Sequence, residues 1–195
     1  QWPGYLATGD IDGDGDVDLA VNVSGSSVVR LFLNDGAGNL SAGNAYGTWG
    51  YVRGILLEDL DADGDADLVF NNFARGRTTE GTTISVLLSN GDGTFADETF
   101  YAVGSNPNWI DAGDLNGDGR IDLAVSSGST FVSILFGDGD GTFSPSLNLN
   151  VSGSAVALDD YNDDGLLDVA NLAGIHFNRR GVHRVTLGAG ESVTG

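Results

Sequence analysis

The stretch Gly113-Asp114-Leu115-Asn116-Gly117-Asp118-Gly119-Arg120-Ile121-Asp122-Leu123-Ala124 decides how this chain is read. Its nine-residue centre returns as Asp10-Ile11-Asp12-Gly13-Asp14-Gly15-Asp16-Val17-Asp18, as Asp59-Leu60-Asp61-Ala62-Asp63-Gly64-Asp65-Ala66-Asp67, and as Asp160-Tyr161-Asn162-Asp163-Asp164-Gly165-Leu166-Leu167-Asp168. Positions 1, 3 and 5 are Asp10, Asp12 and Asp14; Asp59, Asp61 and Asp63; Asp114, Asn116 and Asp118; Asp160, Asn162 and Asp164. Position 6 is Gly in every copy (Gly15, Gly64, Gly119, Gly165), and position 9 is Asp in every copy (Asp18, Asp67, Asp122, Asp168). Position 7 varies freely, as Asp16, Asp65, Arg120 and Leu166, which fits a position that offers only its backbone carbonyl.

This is the spacing of a hard-cation loop. Calcium takes six to eight oxygens at roughly 2.3–2.6 Å. Alternate residues of a tightly curled loop aim short carboxylates at one point, and Gly at position 6 permits a turn that a Cβ would obstruct. Without a cation the carboxylates repel one another. Positions 1, 3, 5, 7 and 9 of each loop are therefore the candidate ligands, with one calcium per loop and three to four ions in all. An EF-hand is excluded, because it needs a Glu at position 12 and flanking helices; here position 12 is Val21, Phe70, Val125 or Asn171. Positions 8 and 10 are apolar (Val17 and Leu19, Ala66 and Leu68, Ile121 and Leu123, Leu167 and Val169), so a strand starts inside the end of each loop.

Outward from the loops, a second landmark follows. Asn34-Asp35-Gly36-Ala37-Gly38, Asn90-Gly91-Asp92-Gly93-Thr94-Phe95 and Gly137-Asp138-Gly139-Asp140-Gly141-Thr142-Phe143 read as hairpin turns. The fourth copy, Phe177-Asn178-Arg179-Arg180-Gly181, is degraded, as terminal repeats often are. Each unit then holds four strands. One precedes the loop (Tyr5 to Thr8, Trp109 to Ala112), one leaves it (Val17 to Val21), one enters the turn (Val28 to Leu33, Ile84 to Leu88), and one begins near Leu40, Phe95 or Phe143. Four antiparallel strands per roughly 40–50 residues is the arithmetic of a propeller blade. No apolar periodicity of helical length is present. The expected fold is all-β: a single repeat domain over 1–195, with blades near 1–48, 49–104, 105–150 and 151–195. Two architectures fit, a closed four-bladed propeller or an open arc completed by a partner. Before each loop the even register is mostly apolar (Leu6; Ile55 and Leu57; Ile110 and Ala112; Val156 and Leu158) and should form the inter-blade core. The odd register, which includes Tyr5 and Trp109 at matching positions, should face a central channel or a ligand.

The loops, with Gly137-Asp138-Gly139-Asp140-Gly141-Thr142-Phe143, resemble the FG-GAP/VCBS repeats of integrin α-subunit propellers and of many bacterial surface proteins. The resemblance covers nearly the whole chain. It implies one calcium per blade, held between the first two strands on one face. The family's usual propeller has more than four blades, and here there are four.

Composition narrows the partners. The 195 residues are 41% hydrophobic, enough for a core, and hold 28 acids against 8 Arg with no Lys, a net charge of −20. Nucleic acid is excluded, since phosphate binding needs a basic face, and an anionic membrane surface is disfavoured. No run approaches the ~18 apolar residues of a membrane helix. No Cys is present, so disulfides, thiolate metal sites and Cys nucleophiles are excluded. With no Met and a start at Gln1-Trp2-Pro3, the chain reads as a mature product or an excised segment.

A catalytic centre is not legible. His176 and His183 belong to no triad, and Asp97, Glu98, Asp111, Glu58 and Glu80 form no recognisable pair. Trp2, Trp49 and Trp109 are candidate sugar-stacking platforms. Arg75, Arg77, Arg179 and Arg180 read as solvated loop cations that could pair with a neighbouring subunit. Asn22, Asn39 and Asn150 open N-x-S sequons. The expected function is a non-enzymatic, extracellular, calcium-stabilised adhesion or interaction module, meeting a protein or a glycan at a surface. The alternatives are a self-assembling subunit of an extracellular fibre or surface layer, and a lectin or the non-catalytic part of a polysaccharide-active enzyme.

Overall fold

The computed structural model describes residues 3–23, 26–73, 81–128, 131–151, 154–172, 174–176 and 178. They form four antiparallel sheets and no helix. The first is β1 (Pro3–Gly9), β2 (Asp18–Val23), β3 (Val28–Asn34) and β4 (Leu40–Gly47), paired in chain order. The second is β5 (Ile55–Glu58), β6 (Asp67–Asn72), β7 (Thr83–Leu87) and β8 (Thr99–Ala102). The third is β9 (Pro107–Gly113), β10 (Asp122–Ser127), β11 (Phe131–Leu135) and β12 (Leu147–Leu149). The fourth holds β13 (Val156–Asp159), β14 (Asp168–Asn171) and β15 (Gly174–His176); the position of a fourth strand lies outside the described residues. Each of the four-stranded sheets is a meander, so the Asp loop between its first two strands and the Gly turn between its last two lie at the same end of the blade.

Three apolar clusters sit between consecutive blades. Ile11, Ala20 and Leu31 of the first blade meet Leu57, Leu68 and Phe70 of the second. Leu60, Val69 and Val86 of the second meet Ile110, Leu123 and Leu135 of the third. Leu115, Ala124 and Ile134 of the third meet Val156 and Val169 of the fourth. The even register before the loops packs toward the preceding blade, as its apolar pattern implies. The odd register departs from expectation: Ala7 and Leu56 pack into the clusters shared with the next blade. A blade between two neighbours must cover both faces of its sheet, which is why β6 and β10 are buried at every residue. Tyr5 and Trp109 do reach the centre, where their rings meet edge to face at 5.9 Å.

The outer strands start later than the sequence implies in the middle blades. Phe95 and Phe143 form isolated bridges to Ser89 and Gly137, and the strands resume only at Thr99 and Leu147. Each Phe is instead an inter-blade contact. Tyr46 of the first blade stacks edge-on against Phe95 of the second at 5.3 Å, and its hydroxyl accepts the Phe95 N–H at 3.1 Å. Tyr101 and Phe143 repeat the ring contact at 5.3 Å one junction later. Of the two expected architectures, the described residues form the open one. The apolar residues of the first blade's free side, Leu6, Val17 and Leu40, remain exposed.

Candidate metal centres

The four Asp loops share one hydrogen-bond scheme. The position 1 carboxylate closes the loop on itself. Asp10 accepts N–H groups from Gly13 and Gly15, each at 2.9 Å. Asp114 accepts from Gly117, Asp118 and Gly119, Asp59 from Asp63 and Gly64, and Asp160 from Asp164 and Gly165. This curl requires left-handed backbone at position 6, where Gly15, Gly64, Gly119 and Gly165 have φ of 88°, 101°, 84° and 84°. Position 4 is left-handed as well, even where it is not Gly: Ala62 has φ 61° and Asp163 has φ 58°.

Position 9 has a role that spacing alone does not disclose. Asp18, Asp67, Asp122 and Asp168 are fully buried. One oxygen of each accepts the N–H of loop position 2: Ile11, Leu60, Leu115 or Tyr161. The other accepts an N–H at the start of the Gly turn: Asn34, Ser89, Gly137 or Asn178. Position 9 thus ties the loop to the end of the third strand. The fourth blade keeps this tie through Asn178 although its turn sequence is degraded.

The loops also bind across blades. The Ala66 N–H donates to the Asp10 carbonyl at 2.9 Å, and the Ser89 hydroxyl to the Ile11 carbonyl at 3.2 Å. Asn178 repeats this contact at the third junction, its Nδ2 donating to the Leu115 carbonyl at 2.6 Å. A cation held in a loop therefore sits against the seam between two blades.

In the first two loops, positions 1, 3 and 9 converge. Asp10, Asp12 and Asp18 each offer a carboxylate oxygen within 4.8 Å of the other two, and Asp59, Asp61 and Asp67 do the same. Burial, then the charges of Asp18 and Asp14, pushes Asp12 above the usual carboxylate range. Burial, then Asp63, does so for Asp61. Burial raises Asp67 to about 6 against the N–H donors of Ser89 and Leu60. Oδ1 of Asp12 is enclosed with no hydrogen-bond partner. Converging, enclosed, mutually repelling carboxylates fit a hard cation by the chemistry of the donor set. Asp14, Asp63 and Asp164 at position 5 accept the N–H of position 7, which turns the position 7 carbonyl of Asp16, Asp65 or Leu166 with the loop.

The third and fourth loops carry fewer acids, with Asn116 and Asn162 at position 3. In the third, the Arg120 guanidinium contacts Asp118 at 2.5 Å. Burial raises Asp118, but hydrogen bonds from Asn116 and Arg120 outweigh it and hold the carboxyl below its ordinary value. The N–H of Gly165 lowers Asp160. These two loops are partly satisfied by the protein itself.

Other candidates fall as follows. Burial, then Asp59 and Asp111, raises Glu58, so Glu58 and Asp111 lie within electrostatic reach on neighbouring inner strands. Asp111 already accepts the Leu158 N–H at 2.7 Å. Trp49 is 74% exposed. Its ring stands edge-on to Phe100, and its Nε1–H donates to Glu98 at 3.3 Å. Asn22 is buried and donates to the Val28 carbonyl, which closes that sequon to modification in the folded chain; Asn39 and Asn150 are exposed. Burial lowers His176. Trp2, Arg75, Arg77, Glu80, Arg179, Arg180 and His183 lie outside the described residues. The Tyr46–Phe95 and Tyr101–Phe143 contacts were not legible beforehand; their signal was a Tyr in the outer strand ahead of each Gly-Thr-Phe.

A solved structure of another protein shares the fold. A lectin of Agrocybe aegerita, described by its specific recognition of non-reducing terminal N-acetylglucosamine, matches with a TM-score of 0.55 and 22% identity, over 83% of this chain and 44% of that one. The Photorhabdus luminescens Tc holotoxin pore matches with a TM-score of 0.43 and 20% identity, over 86% of this chain and 8% of that one. The chain thus spans less than half of either protein. No curated protein matches it. The model of the FG-GAP-like repeat matches three times, at residues 10–70, 59–125 and 114–170, each match running from one Asp loop through the next, so the chain belongs to the FG-GAP-like repeat family.

Proposed function

We propose that this protein is a calcium-stabilised, non-enzymatic β-propeller module that works outside the cell, as an adhesion or interaction unit. The observation that carries the reading is the pair of carboxylate triads, Asp10, Asp12 and Asp18 and Asp59, Asp61 and Asp67, each gathered within 4.8 Å beside a blade seam. An ion there neutralises the repulsion and fastens one blade to the next. Calcium suits the all-oxygen donor set, and extracellular calcium suits open loops with dissociation constants of about 10⁻⁴–10⁻³ M. Calcium titration by calorimetry tests this. Saturable binding in that range, reduced by Asp12→Ala and by Asp61→Ala, supports it; heat no greater than magnesium gives, unchanged in both variants, overturns it.

A second reading, glycan binding, is favoured by one surface feature. Trp49 presents an exposed indole, braced by Phe100 and held by Glu98. Aromatic faces of this kind stack on the apolar side of a pyranose, and the net charge of −20 selects against acidic sugars. The Agrocybe aegerita lectin lends the reading a precedent on the same fold. Binding on a neutral-glycan array that disappears with Trp49→Ala supports it, and an array without signal removes it.

A further inference from the structure

We infer that Trp49, Phe100 and Glu98 form a site for a quaternary ammonium group of the choline kind. The three meet at the outer rim of the junction between the first two blades. Trp49 lies in the connection from β4 to β5, Glu98 just ahead of β8, and Phe100 within β8. The indole and phenyl planes stand at 72° to each other with centroids 6.2 Å apart, and Phe100 is, like Trp49, open to solvent, at 47%. The backbone on either side of Trp49 is held: the Thr48 N–H donates to the Ser27 carbonyl at 2.9 Å, and Tyr51 bridges Phe73. Glu98 holds the indole itself through Nε1–H. The exposed rings are therefore a preformed corner on fixed backbone.

The repeat supplies an internal control. Tyr46 and Tyr101 are equivalent, as are Phe95 and Phe143, because they make the same ring contact one junction apart. Counted from them, the next junction has Gly104 in place of Trp49, Ser146 in place of Glu98 and Asn148 in place of Phe100. That rim closes with polar contacts instead. The Gly104 N–H donates to the Ser133 hydroxyl at 3.1 Å, and the hydroxyl donates to Oδ1 of Asn148 at 2.8 Å. A seam between blades thus has no structural need for two rings and an acid at this place.

The chemistry selects the occupant. Aromatic faces attract cations, and two faces near a right angle wall a corner for one. The carboxylate that takes the indole N–H also enriches the ring in electrons. Among the described residues, Arg120 pairs with Asp118 and Arg53 lies over Phe73, and neither neutralises Glu98. Oε2 of Glu98 is committed to the indole, while Oε1 is enclosed and has no hydrogen-bond partner. An enclosed, unpaired charge is costly, and a cation in the corner offsets that cost. A primary ammonium or a guanidinium would shed water without gaining a free lone pair. A quaternary ammonium has no N–H to satisfy and brings methyl groups that pack on the rings. The net charge of −20 favours its approach. This goes beyond the glycan reading, in which Phe100 and Glu98 only brace the indole.

Saturation-transfer NMR on the N-methyl protons of choline, with the full chain in calcium and the ionic strength held by sodium chloride, tests the proposal. Choline should bind saturably. Its neutral tert-butyl isostere, in which carbon replaces nitrogen, should bind about tenfold more weakly or not at all. Phosphocholine should also bind more weakly than choline, because its phosphate meets the net negative charge. Trp49→Leu should abolish binding, and Glu98→Gln, which keeps an acceptor for the indole, should weaken it about tenfold. The comparison of choline with its isostere uses only the wild type and decides the matter even where a variant fails to fold. No saturable choline binding, an isostere or a phosphocholine that binds as well as choline, or binding unchanged in Trp49→Leu or Glu98→Gln would each overturn the inference. A neutral glycan that binds at Trp49 while choline does not removes this inference and leaves the glycan reading standing.

Discussion

At the residue scale, the nine-residue loops divide their acids between two tasks. Position 9 is buried structure: both oxygens of Asp18 hold N–H groups, those of Ile11 and Asn34. Asp18→Ala strands two enclosed donors and should cost about 3 kcal/mol in urea unfolding even with chelator present. Asp14 is exposed and accepts only a local N–H, so Asp14→Ala should change the metal-free midpoint little while losing part of the stabilisation by calcium. Asp67 carries a pH signature. Its folded value of about 6 lies above its ordinary 3.8, so the folded, metal-free protein holds its proton more tightly than the unfolded chain. Stability from this group is complete below the ordinary value and is lost as pH rises through about 6. Metal-free unfolding midpoints in urea should therefore be higher at pH 5 than at pH 7, while calcium, which competes with the proton, should stabilise less at pH 5.

At the element scale, the loops differ by what occupies position 7. Arg120 in the third loop reaches Asp118 and supplies part of the charge that an ion would bring. Arg120→Asp removes that competitor and makes the third loop resemble the first two; its calcium affinity should rise by about tenfold, roughly 1.4 kcal/mol, in calorimetric titration against wild type. The outer strands hold the blades together in a way the hairpin turns conceal. Tyr46→Phe keeps the ring packing on Phe95 but leaves the Phe95 N–H without its acceptor, and should cost about 1 kcal/mol in thermal or urea unfolding. The position of the Gly turns was readable because their Gly and Asp residues recur. Where the fourth strand begins was not, since Phe95 and Phe143 have the composition of a strand and are claimed by the neighbouring blade's Tyr instead.

At the scale of the whole molecule, loops and seams form one system. The Asp10 carbonyl and the Ile11 carbonyl accept donors from the second blade, so closing a loop also closes a junction. On the proposed function, calcium bound only by the folded array would stabilise it by mass action, by about 2.7 kcal/mol per site at a hundredfold excess over the dissociation constant. The melting temperature should climb steadily with calcium and fall on chelation. Hydrogen exchange on chelation should quicken first in the strands flanking the first two loops, where the acids are densest.

The sequence by itself determined the repeat, the Asp loops, the meander of strands around them and the all-β class, because each is written in local spacing that recurs along the chain. It also marked the three carboxylates that converge in each of the first two loops, since alternate carboxylates and a position 6 Gly are demands of a single loop. The tertiary structure alone decided which faces meet. In β5 the register of Ile55 and Leu57 was marked in advance as a core face, and only packing between two neighbours gave Leu56, on the other face, a second core. The same packing made the position 9 Asp a buried tie between strands, brought Tyr5 to Trp109, and left Leu6 uncovered. Those outcomes depend on contacts between residues distant in the chain, and no local period encodes them.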